Sequence, residues 1–173
     1  MGTNLRITAG LLLSLAAILV SVSAAPVLAN DFPVADRVLV EKAARKLHLL
    51  KDGTPIRTFD IALGMYPDGD KLREGDHKTP EGTYSLDTRN PNSDFFLSIH
   101  ISYPDTRDRR ESRSKGLDPG GQIMIHGQPN EPTYSAGYYA KEDWTNGCIA
   151  VSNSDMIDIW LMTPNDIPIE IRP

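Results

Sequence analysis

Several short stretches of the chain are apolar, or alternate apolar and polar residues with the period of two that is typical of β-strands. These stretches lie at residues 38–40, 46–50, 56–63, 95–103 and 167–171. The pair Asp52-Gly53 is a hairpin signal between the second stretch and the third. Because Pro168 has no N–H, we expect it at a sheet edge or at the start of the last strand. The pattern predicts a mainly β domain that begins with an antiparallel meander.

Two other segments predict short helices. Ser152 or Asn153 can cap a helix that follows Cys148, and the apolar residues of this helix recur at helical spacing. The apolar face of this helix consists of Met156, Ile159 and Trp160. The charged segment 105–115 predicts a short exposed helix or a loop. Residues 64–82 and 128–139 are rich in turn-forming residues and predict loops, the second of them a lid or wall over a site.

The first 29 residues differ from the rest of the chain. A short basic start with Arg6 is followed by an almost unbroken apolar run at residues 7–22 and by small residues up to position 29. This order predicts a secretory signal peptide over residues 1–29, and therefore an exported protein in the periplasm or cell envelope. An uncleaved membrane anchor is the alternative, because the apolar run is close to the shortest that can span a bilayer.

Composition limits the classes of function. A chain of 173 residues with 40% hydrophobic content can build one core, and its single cysteine excludes an internal disulfide framework. The net charge of −5 disfavours binding to polyanions, so no nucleic-acid partner is expected. The sequence has no metal-ligand cluster, no phosphate-binding glycine loop and no nucleotide fingerprint. We therefore expect no metal, no cofactor and no nucleotide.

The candidate chemistry lies in the segment that contains Cys148 and His126. A cysteine attacks a carbonyl carbon as the thiolate, and a free thiol with a pKa of about 8.5 is little ionised at neutral pH, so a base is needed. His126 ends an apolar run and is the candidate base; the spacing suits the ends of two neighbouring strands. The N–H groups of Gly147 and Cys148 are candidate donors to a developing oxyanion. The alternative is an inert, buried cysteine.

Other residues are candidates for shaping this site. Thr145 and Asn146 precede the cysteine and are expected to shape its loop, and Gly127, which follows the histidine, is a candidate for the substrate cleft. His100 shares the polar face of its strand with two serines, so it can line a substrate groove or serve as a hydrogen-bonded structural histidine. Tyr138 and Trp144 can pack against a substrate or beneath the lid.

The motifs resemble a known family, the YkuD-type L,D-transpeptidases. The family signature is a histidine, a spacer and then Ser/Thr-x-Gly-Cys followed by a hydrophobic residue, here residues 126 and 145–149. Residues 75–84 are similar to the family's GD-x-x-TPEG-x-Y segment, and residues 120–127 to its approach to the histidine. The resemblance covers residues 36–172, and it implies a mainly β, sandwich-type catalytic domain with one or two short helices.

The resemblance also implies a reaction. Cys148 would attack the carbonyl between an L-centre and a D-residue in a peptidoglycan stem peptide, with His126 transferring the proton, and the acyl group would pass to an amine of another stem peptide. Asn146 and Ala150 replace residues that are commoner in the family, and this Thr-x-Gly-Cys-Ile-Ala variant resembles a subgroup that includes enzymes cleaving links between protein and peptidoglycan. Hydrolysis, by an L,D-carboxypeptidase or an amidase that releases a wall-linked protein, therefore stays open. A non-catalytic wall-binding domain is the third alternative.

Overall fold

The computed structural model describes residues 1–2 and 33–173, so nearly all of the predicted signal peptide lies outside the described residues. The strands are β1 (Arg37–Glu41), β2 (Lys46–Lys51), β3 (Thr54–Asp60), β4 (Gly82–Ser93), β5 (Phe96–Ile101), β6 (Met124–His126), β7 (Ile149–Ala150) and β8 (Ile167–Arg172). The helices of this part of the chain are α1 (Thr106–Ser114), α2 (Ala136–Lys141) and α3 (Asn153–Met162). None of these helices is long and apolar enough to cross a membrane.

Strands β1, β2 and β3 form the predicted antiparallel meander. The turn between β2 and β3 contains Asp52 at φ 50° and Gly53 at φ 77°. Two consecutive residues with positive φ are typical of the tight hairpin turn whose twist matches that of the strands it joins. The Asp-Gly pair therefore determined this hairpin locally.

Strand β4 was not predicted, although it is the longest strand of the described residues, with 12 residues. It contains Asp87, Asn90 and Pro91, which are residue types that strands rarely contain. Pairing with β5 on one side and β8 on the other holds it in the sheet, and its register with β5 shifts after Leu86 and again after Asn90. Pairing with neighbouring strands thus outweighed the weak strand propensity of these residues. The bulges lie where that propensity is weakest.

Strand β8 corrects one alternative of the sequence prediction, because it lies inside the sheet between β1 and β4 rather than at an edge. Pro168 is the second residue of β8, where β4 pairs with it opposite Ser85. Pairing with β1 begins one residue later, at Val38 opposite Ile169. The proline is tolerated in an interior strand because it stands at the start of that strand, before the ladder with β1 begins.

The eight strands form one mixed sheet in the order β3-β2-β1-β8-β4-β5-β6-β7. Ala62, just after β3, exchanges two main-chain hydrogen bonds with Ala150 of β7, with N···O distances of 2.9 and 2.8 Å. Because β3 and β7 are opposite edges of the sheet, this bridge makes the sheet curl round a common apolar core. The mainly β architecture that the sequence predicts is confirmed.

Helix α3 packs against β5 and covers one end of the core. Its N-cap is Ser152, whose side chain accepts a hydrogen bond from the Asp155 N–H. Met156 and Ile159 are fully buried, as the helical spacing predicts. Helix α1 also forms in the charged segment, where Asp105 caps its N-terminus. The third helix, α2, lies in the segment that was predicted to be a loop, so the expected one or two helices are three in the described chain.

Candidate active site

His126 ends β6, and Cys148 immediately precedes β7, which is the parallel neighbour of β6 at one edge of the sheet. Ile125 pairs with Ile149, and His126 pairs with Ala150. By this register Cys148 stands opposite Met124, two positions before His126 along the pair of strands and on the same face of the sheet. The long spacing between His126 and Cys148 in the sequence is bridged by the chain that includes α2.

Cys148 and His126 line the same cleft, which has a volume of about 480 Å³. A cleft of this size lies within the range of about 300–1,000 Å³ that is usual for ligand sites. Three residues predicted from the cysteine motif also line it: Trp144, Thr145 and Asn146. The remaining walls come from residues that sequence reasoning did not single out, among them Lys71, His77, Phe95, Gln122 and Met124.

His126 is held as a neutral base. Its Nδ1 lies 2.7 Å from the carbonyl oxygen of Gly127. Because a carbonyl can only accept, Nδ1 carries the proton and the lone pair is on Nε2. Burial lowers the pKa of His126 to about 4, which the bond to Gly127 opposes only in part, so the ring is uncharged at neutral pH. Gly127 thus contributes its carbonyl, which orients the histidine without a carboxylate.

Two aromatic rings enclose this imidazole. The ring centroid of Phe95 lies 4.6 Å from that of His126, and the indole of Trp144 lies 5.6 Å away in an edge-on arrangement. Only 4% of His126 is exposed. The aromatic contacts supply the burial that keeps the histidine uncharged, since a cation loses its hydration there.

Cys148 is half-buried, and its thiol donates to the carbonyl oxygen of Gln122 at 3.5 Å. Burial raises the pKa of the Cys148 thiol, although the Met124 N–H and the positive charge of Lys71 act in the opposite direction. The resting site therefore contains a neutral thiol beside a neutral imidazole rather than a thiolate beside an imidazolium. Such a pair can act when the proton moves to His126 as the sulfur attacks.

The buried side chain of Thr145 stabilises the loop before the cysteine by hydrogen bonds to its main chain. Its hydroxyl donates to the Cys148 carbonyl at 2.7 Å and accepts the Gly147 N–H at 3.1 Å. This second bond corrects the expectation that Gly147 donates to an oxyanion, because its N–H is already occupied. The Cys148 N–H has no hydrogen-bond partner among residues 1–2 and 33–173, so it stays available.

Gly147 is required for another reason. Its φ is +127°, a conformation that residues with a side chain rarely adopt. A Cβ at this position would lie 2.6 Å from the carbonyl oxygen of Lys78. The loop that contains Lys78 therefore packs directly on the backbone that presents the cysteine.

His77 is half-buried and lines the cleft. Its Nδ1–H donates to the side-chain oxygen of Asn146 at 2.9 Å. The bond joins the loop before β4 to the cysteine loop, which gives Asn146 the orienting contact expected of it. The TPEG-like segment was the signal in the sequence, but spacing alone could not show which of its side chains faces the cysteine.

A buried ion pair supports the same wall. The Lys71 ammonium lies 2.7 Å from the Asp76 carboxylate, and 3% and 9% of the two side chains are exposed. Burial raises the pKa of Asp76, but hydrogen bonds from main-chain N–H groups and from Lys71 outweigh it and lower the pKa overall. The Asp76 carboxylate thus stabilises the loop at residues 71–78 through hydrogen bonds within it. Neither the charge pattern nor the spacing of the sequence predicted this.

Three expected cleft residues, Gly127, His100 and Tyr138, do not line the cleft around Cys148. His100 donates from Nδ1 to Asp87 at 2.8 Å and lines a separate depression of the surface rather than the cleft around Cys148. Tyr138 lies on α2, where its ring stacks on Tyr134 with a centroid distance of 4.4 Å. A strand alternation identifies the face on which a side chain lies, but it does not identify the neighbour that the side chain meets.

Possible metal ligands were compared by their positions in the described residues. In residues 1–2 and 33–173, no group of three or more His, Cys, Asp or Glu side chains is arranged to hold a metal ion.

Comparison with protein families identifies a match over almost the whole described chain. The family described as YkuD, the L,D-transpeptidase catalytic domain, matches residues 35–171. The matched range includes His126, the cysteine motif and the loop that packs on it.

Individual relatives are more distant. The Escherichia coli (strain K12) protein named "Putative L,D-transpeptidase YafK" is 38% identical over 74 residues, which are 42% of this chain and 26% of YafK. The helical cell shape determining protein Pgp2 of Campylobacter jejuni has a similar structure, with a TM-score of 0.62 and 28% identity over 79% of this chain and 46% of Pgp2. An L,D-transpeptidase of Mycobacterium smegmatis shares the fold, with a TM-score of 0.52 at 14% identity over 79% of this chain and 58% of that one. This chain thus spans less than two thirds of each relative.

Proposed function

This chain belongs to the YkuD family of L,D-transpeptidase catalytic domains, and from that premise we propose that it is a cysteine-dependent peptidoglycan L,D-transpeptidase. The substrate is the stem peptide of the cell wall, cleaved after an L-centre and before a D-residue. Cys148 is the nucleophile and His126 is the general base and acid.

In the first half of the reaction, the Cys148 thiol gives its proton to Nε2 of His126 while the sulfur attacks the substrate carbonyl carbon. The carbonyl electrons move to oxygen, and the Cys148 N–H donates to that oxyanion. The carbon–nitrogen bond then breaks, and the imidazolium returns the proton to the departing amine. The products are a free amine and a thioester on Cys148.

In the second half, an amine of another stem peptide attacks the thioester. His126 accepts a proton from the attacking nitrogen, the carbon–sulfur bond breaks, and the sulfur leaves as a thiol after taking that proton. A new amide forms the crosslink. When water attacks instead, the same steps give a carboxylic acid, which is the hydrolase alternative, including release of a wall-linked protein.

The observation that carries the proposal is the state of His126 beside Cys148. A ring whose Nδ1–H is fixed on the Gly127 carbonyl, and whose pKa burial lowers to about 4, exposes an unprotonated Nε2 at neutral pH. A general base is needed in this state, since the thiol itself is neutral. The family match, and the similarity to a protein that determines cell shape, support a reaction on the cell wall.

The test is mass spectrometry of the purified mature protein with disaccharide-tetrapeptide muropeptides, with and without an amine acceptor. We expect an acyl adduct on Cys148 that resolves into a crosslinked dimer when the acceptor is present. Cys148→Ala should form no adduct, and His126→Gln should form it far more slowly because no base accepts the thiol proton.

Three other outcomes would change the proposal. An adduct that resolves only into a shortened monomer, even with abundant acceptor, would replace transfer by hydrolysis. An adduct that persists in Cys148→Ala would remove the cysteine from its role. Absence of any adduct together with retained binding to purified wall would indicate a non-catalytic wall-binding domain.

The proposal includes the location of the reaction. Stem peptides lie outside the cytoplasmic membrane, and the basic and apolar start of the sequence predicts export. Fractionation of cells that express the full chain, with N-terminal sequencing of the recovered protein, should find it in the periplasm or envelope with residues 1–29 removed. Recovery from the cytosol with Met1 in place would contradict this location.

A further inference from the structure

The environment of His100 differs from that of the other carboxylate-paired histidine outside the cleft, His48. Both ring nitrogens of His48 are occupied, Nδ1 by the Thr58 hydroxyl at 2.9 Å and Nε2 by Glu41 at 3.0 Å. Only Nδ1 of His100 is occupied, by Asp87 at 2.8 Å. Within the described residues Nε2 of His100 has no hydrogen-bond partner, so this ring is oriented by Asp87 while one nitrogen stays free.

The sheet register places His100 on the same face as the nucleophile. His100 pairs with Met124 across β5 and β6, and paired residues of neighbouring strands point to one face. Cys148 stands next to Met124 on the other side, because Ile125 pairs with Ile149 in the following position. Cys148, Met124 and His100 thus form a row across three strands, and two strand spacings separate its ends by about 10 Å.

The depression around His100 adjoins the cleft around Cys148. Gln122 and Met124 line the cleft around Cys148, and the same two residues line the depression around His100. That depression has a volume of about 470 Å³, and Thr88, Asn90 and Ser98 add hydroxyl and amide groups to it. Its hydrogen-bonding groups fit a peptide backbone, since they offer both donors and acceptors.

We propose that His100 and Asp87 form a distal subsite for the acyl-donor peptide, in which Nε2 of His100 hydrogen-bonds to a backbone amide of that peptide. The inference rests on the proposed function, because the donor is the peptide that Cys148 attacks. An extended chain advances about 3.3 Å per residue, so the bound amide lies about three residues from the scissile carbonyl. Asp87 is a positioning residue, because its hydrogen bond to Nδ1 fixes the orientation of the imidazole at the depression around His100.

The subsite makes a prediction about substrate length. Acylation of Cys148 should be faster with a disaccharide-tetrapeptide than with a dipeptide that has only the two residues of the scissile bond. His100→Asn keeps a nitrogen near the position of Nδ1 and removes Nε2. We expect it to slow acylation by the long donor about tenfold, the effect of one lost hydrogen bond, and to leave the dipeptide rate unchanged.

Two variants act as controls. His100→Gln places an amide near the position of Nε2, so it should restore part of the long-donor rate. His48→Asn makes the matched change in the histidine whose nitrogens are both occupied, and it should alter neither rate. Thermal unfolding of each variant separates lost binding from lost folding.

Equal slowing of both donors by His100→Asn would overturn the subsite and leave a structural role. A loss that depends on the length of the acceptor, with acylation unchanged, would also overturn it. These results are distinguishable from failure of the proposed function, because the latter would give no Cys148 adduct with either donor. In that case, equal affinity of His100→Asn and the unaltered chain for the tetrapeptide, measured by calorimetry, would overturn the subsite independently.

Discussion

His126 and His100 lie on neighbouring strands and on one sheet face, yet their surroundings differ in kind. His126 is almost fully buried between aromatic rings, and its Nδ1 donates to an uncharged carbonyl. His100 is half-buried, and its Nδ1 donates to the Asp87 carboxylate. Burial lowers the pKa of His126 and favours its neutral ring, although the hydrogen bond to the Gly127 carbonyl acts in the opposite direction. Burial, rather than the residue type or the hydrogen-bond partner, keeps His126 available as a base at neutral pH.

The largest expected effect comes from replacing each of the two histidines in turn by glutamine and comparing the rates of acylation. His126→Gln removes the base, so we expect acylation of Cys148 to slow by about 10²–10⁴-fold, the usual contribution of general acid–base catalysis. His100→Gln should slow it by less than about tenfold, because only a hydrogen bond is altered. Single-turnover rates with one muropeptide compare them directly, and similar losses in both variants would mean that His126 is not the base.

A second prediction concerns the rings that enclose His126. Phe95→Ala removes the nearest ring and admits water, so the pKa of His126 should rise from about 4 towards its ordinary value of 6.5. The acid side of the activity profile should then move to higher pH, because protonated His126 cannot accept the thiol proton. Rates measured from pH 4 to 8 would show the shift. If the acid side of the activity profile did not move, the low pKa of His126 would have a cause other than contact with Phe95.

The same low pKa affects stability. Because the folded-state pKa of His126 is about 4 and the ordinary value is 6.5, the unfolded chain binds the proton more readily. The contribution of neutral His126 to the free energy of unfolding is complete above pH 6.5 and is lost as the pH falls through 6.5 towards 4. Urea unfolding at pH 7 and pH 4.5 should show a smaller loss on acidification in His126→Gln than in the unaltered chain. An equal loss in both proteins would contradict this linkage.

The smallest effect is expected on the free energy of unfolding when the pair of Asp87 and His100 is changed, because this pair is more exposed than His126. Asp87→Asn removes the carboxylate beside His100 while keeping an acceptor, and half-exposed ion pairs contribute about 0–1 kcal/mol. We expect a change of less than about 1 kcal/mol in the free energy of unfolding. Chemical denaturation at low and high salt would measure it. A larger loss would mean that the pair holds the bulge of β4 together.

The sequence alone predicted much of the fold where the signal is local. Asp52 and Gly53 specify a hairpin by their own conformational preferences, and Ser152 caps α3 with its own side chain. Strand β4 could not be predicted in this way, because its polar second half is held by partners that are distant in the sequence.

The candidate site divides in the same manner. Residue types and spacing identified Cys148 and His126 as the candidate pair, because few side chains can act as a nucleophile and a base near neutral pH. Only the tertiary structure decided that the Gly127 carbonyl orients His126, that the Gly147 N–H is occupied by Thr145, and that His100 belongs to a neighbouring depression. The sequence determines which chemical groups are present, whereas burial and hydrogen-bond partners depend on residues brought together by folding, and these set the charge and orientation of each group.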